Sequence, residues 1–257
     1  MSQYKFLQYE CSGGVVKIAV NRPPFNVLDI ATMTEMNAAL DRAAGEKDAK
    51  LLLVTGVGEK AFSAGVDVAD HTRDKVQGMI DTFHGNIRRI MALPIPSVAA
   101  VNGAALGGGL ELALACDMLV AAEGAKLGQP EIKLGVFPPI AAVLMPRIVP
   151  SPRAMELVLG GGTIDAREAH SIGLVNKVFP KESFAADTAK FLGQFLSLSR
   201  AVLLHAKRAM RVATGRPFGE ALHDVEQIYL NELMATEDAI EGLNSFMEKR
   251  KPVWKNR

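Results

Sequence analysis

Gly103-Ala104-Ala105-Leu106-Gly107-Gly108-Gly109-Leu110-Glu111-Leu112-Ala113-Leu114-Ala115-Cys116-Asp117 is the stretch on which the reading of this chain turns. The apolar run at residues 97–101 just before it reads as a strand buried on both faces. The glycines then form a turn that runs into an almost wholly apolar helix. Three consecutive glycines let a ligand or another backbone come close, and they leave amide N–H groups pointing outward at a helix N-terminus. Such a place stabilises an anion. Glu111 falls in the first turn of that helix between two leucines. A carboxylate there suits the helix dipole. It equally suits a partly buried acid whose pKa is set by its surroundings.

Upstream, residues 15–20 form a short β-rich run after Gly13-Gly14, and residues 4–9 could pair with it as a hairpin. Asn21-Arg22-Pro23-Pro24 ends that strand, because proline cannot donate to a ladder. Residues 31–44 carry Met33, Met36, Ala39, Leu40 and Ala43 at helical spacing. Residues 51–54 are a second buried strand, residues 56–70 a glycine-punctuated loop, and residues 75–91 an amphipathic helix ended by Pro94 and Pro96. Strand and helix alternate, which favours parallel pairing through crossover helices. After about Phe137 the chain turns mostly helical, with breaks at Gly160-Gly161-Gly162 and Gly215-Arg216-Pro217. The fold class is α/β, with a core over residues 1–195 and a helical region over 196–257.

The 257 residues, 49% hydrophobic and 22% charged, suffice for a core that needs no staple. A net charge of +1 argues against a long nucleic-acid footprint. Cys11 and Cys116 stand alone, outside any metal or disulfide pattern, and the five histidines show no metal-ligand spacing. No apolar stretch reaches the length of a membrane span, and the first residues do not read as a signal peptide. A cytoplasmic location is expected.

Two further segments carry chemistry. In Lys126-Leu127-Gly128-Gln129-Pro130-Glu131-Ile132-Lys133-Leu134-Gly135 a proline and two glycines hold Glu131 on a stiff backbone. Taken alone, Glu131 suits a loop acid or an ion pair with Lys126 or Lys133. Two acids on separate rigid segments also suit paired proton chemistry. In Lys60-Ala61-Phe62-Ser63-Ala64-Gly65-Val66-Asp67-Val68 a small-residue loop follows a parallel strand, where α/β sheets place ligand contacts. Its N–H groups could complete an oxyanion hole. The plainer reading is a surface loop with a cap at Asp67 or Asp70.

Together these segments resemble the enoyl-CoA hydratase/isomerase (crotonase) superfamily. Asn21-Arg22-Pro23, Phe62 to Asp67, Gly107 to Leu112, Pro130-Glu131 and the ending Phe246 to Trp254 match its pattern in order. The resemblance implies a spiral of ββα units with a C-terminal trimerisation region, assembled as a homotrimer or a dimer of trimers. It implies an acyl-CoA substrate whose thioester carbonyl lies between the N–H groups of Val66 and Gly108. Glu111 would hold and deprotonate water while Glu131 donates the proton. Ala64, Asp67, Val68, Phe246 and Lys249 would contact CoA or substrate, the last two from a neighbouring subunit. No metal or cofactor is implied, CoA arriving with the substrate. Retention of both glutamates favours hydration over double-bond isomerisation. Some members bind RNA, but Lys207-Arg208-Ala209-Met210-Arg211 reads more simply as a solvated helix face.

The chain departs from the family's usual text after the second acid. Gly135-Val136-Phe137-Pro138-Pro139-Ile140 replaces a glycine-rich run, and Asn26-Val27-Leu28-Asp29 replaces Asn-Ala-Leu-Asn. Both changes resemble the hydratases acting on cyclohexa-1,5-diene-1-carbonyl-CoA in anaerobic aromatic degradation. An apolar wall suits a flat ring better than a flexible chain. An ordinary short-chain enoyl-CoA hydratase is the alternative.

Overall fold

The computed structural model describes residues 4–257. Strands β1 (Leu7–Ser12) and β2 (Val15–Val20) form an antiparallel hairpin with Leu7 opposite Val20 and Ser12 opposite Val15. The hairpin turns on Gly13 and Gly14, both at positive φ (56° and 80°), as a two-residue hairpin turn requires. The first strand therefore lies three residues later than the 4–9 span expected from sequence. Helix α1 (Ile30–Gly45) starts where the Asp29 side chain accepts the Thr32 N–H at 2.8 Å, and it buries Met33, Met36, Ala39, Leu40 and Ala43. These are the residues whose spacing predicts the helix.

From here the chain repeats one device. It lays down β3 (Leu51–Gly56), β4 (Ala61–Ser63) and α2 (Val76–Ala92), then β5 (Ser97–Val101), β6 (Ala104–Leu106) and α3 (Gly108–Leu114). Next come β7 (Met118–Ala122), β8 (Lys126–Gly128), α4 (Pro139–Ile148) and α5 (Ser151–Gly160). A final turn adds β9 (Thr163–Asp165), α6 (Ala166–Ser171) and β10 (Lys177–Phe179). The first strands of the three full units, β3, β5 and β7, join β1, β2 and the later β10 in a six-stranded sheet in the order β1-β2-β3-β5-β7-β10, parallel except for β1. Their second strands, β4, β6 and β8, form with β9 a four-stranded sheet, β4-β6-β8-β9, in which β9 is antiparallel. This is the spiral of ββα units that the resemblance implies. The expected loop at residues 56–70 contains β4 and a 3-10 turn, Val68–Asp70. β9 and β10 fall in the part expected to be mostly helical, being three residues each and too short to show an alternation.

Helix α7 (Phe184–Leu196) covers one face of the larger sheet, with Leu192 packed among Leu51, Val98, Ala100 and Val120. Three more helices follow: α8 (Arg200–Ala213), α9 (Phe218–Gln227) and α10 (Glu237–Met247). One charged cluster ties α8 to the core. Lys207, only 8% exposed, donates to Asp117 (2.7 Å) and to the Ile95 carbonyl (2.7 Å). Asp117 also accepts from Arg211 (2.8 Å), the Ser97 N–H and the Ser97 hydroxyl (both 2.8 Å). Burial pushes the Asp117 carboxyl up, but Lys207, Arg211 and Ser97 outweigh it and hold the group below its ordinary range. Lys207 thus belongs to a buried pair, not to the solvated helix face that its sequence suggests. Removing one partner strands a cation in a poorly hydrated place. Asp117→Ala is expected to lower stability by about 3 kcal/mol in denaturant melts. The double variant Asp117→Ala/Lys207→Met should recover part of that loss.

Candidate active site

The three chemical segments meet because each follows a strand of the smaller sheet. β4 pairs in parallel with β6, Ser63 lying opposite Ala105, and β6 pairs in parallel with β8, Leu106 lying opposite Gly128. The residues that leave these strands at their C-terminal ends, 64–67, 107–109 and 129–131, emerge side by side.

Their approach is close enough to require glycine. A Cβ at Gly65 would sit 2.8 Å from Leu106 O and 3.3 Å from Gly108 N, at a φ of 103°. A Cβ at Gly108 would sit 2.7 Å from Val66 Cγ2 and 3.3 Å from Val66 N. One at Gly107, whose φ is 52°, would fall 2.7 Å from a Glu131 oxygen. Several neighbouring N–H groups are committed: Gly65 to Ser63 Oγ (3.1 Å), Asp67 to Leu28 O (3.1 Å), Gly107 to Gly128 O (2.9 Å). Those of Val66 and Gly108 donate to no acceptor among the described residues. Two neighbouring free N–H groups form an anion-stabilising pair.

Glu111 is 3% exposed. Its Oε1 accepts the N–H groups of Ile140 (2.8 Å) and Ala141 (2.9 Å). These are among the first free donors of α4, because Pro138 and Pro139 just before them have none. Burial lifts the carboxyl to about 7; the two N–H groups oppose the lift and the charge of Glu131 adds to it. Glu131, half-buried, is also pushed up by burial, while its own N–H and the His71 ring oppose the shift. Fully buried Gln129, with its amide nitrogen turned toward Glu131, donates to both carboxylate oxygens at 3.1 and 3.2 Å. The Glu131 charge is thus felt at the more deeply buried Glu111 carboxyl.

Val66, Gly108, Glu111 and Glu131 line one cavity of about 310 Å³. Met79, Ile80 and Phe83 from α2 form one wall, and Val136, Phe137 and Pro139 another. Ala64 and Val68 are exposed, and the Asp67 carboxylate caps the 3-10 turn by accepting from Ala69 N (3.0 Å). Phe246, 85% exposed on α10, and Lys249 lie outside the lining of this cavity. Sequence reasoning missed Gln129, His71 and His84 as neighbours of the site. Gln129 had a signal in its place directly before Pro130-Glu131; the histidines had none.

A buried carboxyl and a half-buried one, a free pair of backbone donors and a largely apolar cavity are an arrangement that can move protons beside a bound carbonyl. The enoyl-CoA hydratase/isomerase family model matches residues 10–257. The chain is 38% identical over 248 residues to a cyclohexa-1,5-dienecarbonyl-CoA hydratase of Thauera aromatica, covering 96% of this chain and 95% of that one. It is 36% identical to a probable enoyl-CoA hydratase of Rhizobium meliloti over 99% of both chains. The crystal structure of an enoyl-CoA hydratase from Bacillus anthracis superposes with a TM-score of 0.94 at 32% identity, covering 98% of this chain and all of that one. The chain belongs to the enoyl-CoA hydratase/isomerase family.

The raised Glu111 pKa has a consequence for stability. An unfolded glutamate ionises near 4.5, and the folded one near 7, so folding is opposed progressively as pH rises between these values. The loss amounts to about 3 kcal/mol once pH exceeds the folded value. Glu111→Gln is expected to leave the melting temperature nearly unchanged at pH 4.5 and to raise it at pH 8, by thermal melts followed by circular dichroism.

Proposed function

We propose that this chain is a hydro-lyase adding water to a conjugated enoyl- or dienoyl-CoA thioester. The observation that carries the reading is that Glu111 and Glu131 face one cavity with the free N–H groups of Val66 and Gly108. The thioester oxygen sits between those donors, which stabilise the enolate formed during addition. Loss of one such donor costs about 3–4 kcal/mol in other enzymes. Glu111 has Oε1 held by α4 and holds water with Oε2. One carboxylate takes a proton from the water, whose oxygen bonds to the β-carbon. The other, protonated, returns a proton to carbon, so the pair's proton count is unchanged. Glu111 is assigned the water and Glu131, oriented by Gln129, the donation.

We assign cyclohexa-1,5-diene-1-carbonyl-CoA as the acyl group, in the anaerobic breakdown of aromatic acids. Water then adds 1,4, with hydroxyl at the β-carbon and the proton at the far end of the diene. The similarity to the Thauera aromatica hydratase supports this, as does the wall of Val136, Phe137, Pro138 and Pro139, which is stiff where the family's usual text is glycine-rich. CoA runs past Ala64, Asp67 and Val68. Phe246 and Lys249 reach it from a neighbouring copy in a homotrimer or dimer of trimers built through residues 196–257. The exposed Met210, Phe218, Leu230, Phe246 and Met247 there supply apolar surface for such contacts.

Hydration of cyclohexa-1,5-diene-1-carbonyl-CoA and crotonyl-CoA, followed side by side by mass spectrometry, tests the assignment. The cyclic diene should be preferred; preference for crotonyl-CoA would remove the ring and leave the hydratase. Glu111→Gln and Glu131→Gln should each slow hydration by roughly 10²–10⁴-fold with the fold retained. A fully active Glu131→Gln enzyme contradicts the scheme.

A further inference from the structure

The segment that follows β2 reaches across to residues 64–67 and holds them from the side away from Gly108. Leu28 pairs with Val66 in an isolated parallel bridge. The Leu28 N–H donates to Gly65 O (2.9 Å), and Leu28 O accepts the Asp67 N–H (3.1 Å). In a parallel bridge of this pattern both bonds go to the residues flanking the bridged one, so the N–H of Val66 itself points to the opposite side. Gly108 lies on that side, since a Cβ there would sit 3.3 Å from Val66 N. A third bond, from the Ala64 N–H to Phe25 O (2.8 Å), holds the start of the same loop.

Residues 25–28 are fixed in turn by Asn26. It is fully buried, with a φ of 51°, a left-handed conformation that asparagine tolerates better than most residues. Its Oδ1 accepts the Arg22 N–H (3.0 Å), and its Nδ2 donates to Val57 O (3.0 Å) and Ala61 O (2.8 Å). One side-chain amide thereby ties the turn after β2 to the end of β3 and the start of β4. The fit is tight, for a Cβ at Gly56 would lie 2.6 Å from Nδ2.

We propose that Asn26 is a positioning residue of the anion-stabilising pair. Through residues 25–28 it sets where the Val66 N–H points, and so how strongly a bound thioester carbonyl is polarised. The inference rests on reading the Val66 and Gly108 N–H groups as the donors to that carbonyl. Asn26 is not part of the cavity's lining, so its effect is carried by backbone alone. The Gly108 donor belongs to the first turn of α3, which the clamp does not touch. Asn26 therefore governs one donor of the two. Misplacing a group by about 1 Å costs up to 10²-fold in rate in other enzymes.

The test reads the carbonyl itself. Cyclohexanecarbonyl-CoA, saturated and inert to hydration, is isotope-labelled at the carbonyl carbon and bound at saturation to the full chain, and its stretching band is followed by infrared difference spectroscopy. In the unaltered chain the band should move to lower frequency on binding. Asn26→Gly keeps the left-handed backbone and removes the amide; Asn26→Asp keeps the size and the acceptor but not the two donated bonds. Each should lose about half of the band's shift, the share of one donor of two, and slow hydration of crotonyl-CoA by up to about 10²-fold. Asp117→Ala, destabilised but remote from the cavity, should keep the full shift, which separates aim from stability. A full shift in both Asn26 variants, or loss of the fold in both, would overturn the proposal and leave the hydratase reading intact. A band that does not move even in the unaltered chain would sink the donor reading and this inference together.

Discussion

The active site depends on one approach of backbone to backbone, that of residues 65–66 to residues 107–108. No side chain fits between them: Cβ atoms at Gly65 or Gly108 would meet backbone or Val66 at 2.7–2.8 Å. The smaller sheet makes the approach possible, since β4 and β6 run parallel and in contact and release their chains at the same end. From this follow the pairing of two free N–H groups, the starting point of α3, and the placing of Glu111 one turn further on. The positive φ at Gly65 and Gly107 serves the same end, as it turns each chain sharply off its strand.

A second constraint opposes the first. α3 is buried along its whole length, so Glu111 enters a place with little water. An isolated carboxylate there would lie further from its ordinary range than about 7; what limits the rise is the start of α4. Pro138 and Pro139 shape that start without offering donors, and Ile140 and Ala141 then supply two. The same prolines line the cavity. The segment that tunes the acid is therefore also the segment that shapes the pocket.

Much of this was legible in the sequence where one residue type answers one physical need. Met33, Met36, Ala39, Leu40 and Ala43 marked a buried helix face, and residues 107–109 marked a close approach. Glu111 and Glu131 stood out by their stiff, apolar settings. What the sequence did not show was pairing. β4, β6, β8, β9 and β10 are three residues each, too short for a period, and their partners lie 20 or more residues away in the chain. Contacts made across such distances were likewise hidden: Glu111 with Ile140, Lys207 with Ile95 and Asp117, His84 with the cavity. The basic run at Lys207 read as a solvated face because nothing local told of a carboxylate 90 residues earlier.

The two sheets divide the labour. The larger sheet, buried between α7 on one face and the main core on the other, sets the frame and carries none of the cavity's lining. The smaller sheet, through short strands, delivers the donors and the acids. The apolar wall of the cavity comes from neither, but from α2 and the turn before α4. A fold arranged this way keeps its chemistry on short, glycine-constrained strand ends, where almost no substitution is sterically allowed. It leaves the apolar wall on a helix face and a turn, where side chains can change without disturbing a ladder. His84 and Phe137 lie on that permissive part, and the glycines and Glu111 on the other. Differences in acyl group between relatives of this fold should accordingly be written in α2 and residues 135–139, with the donors and acids held in place.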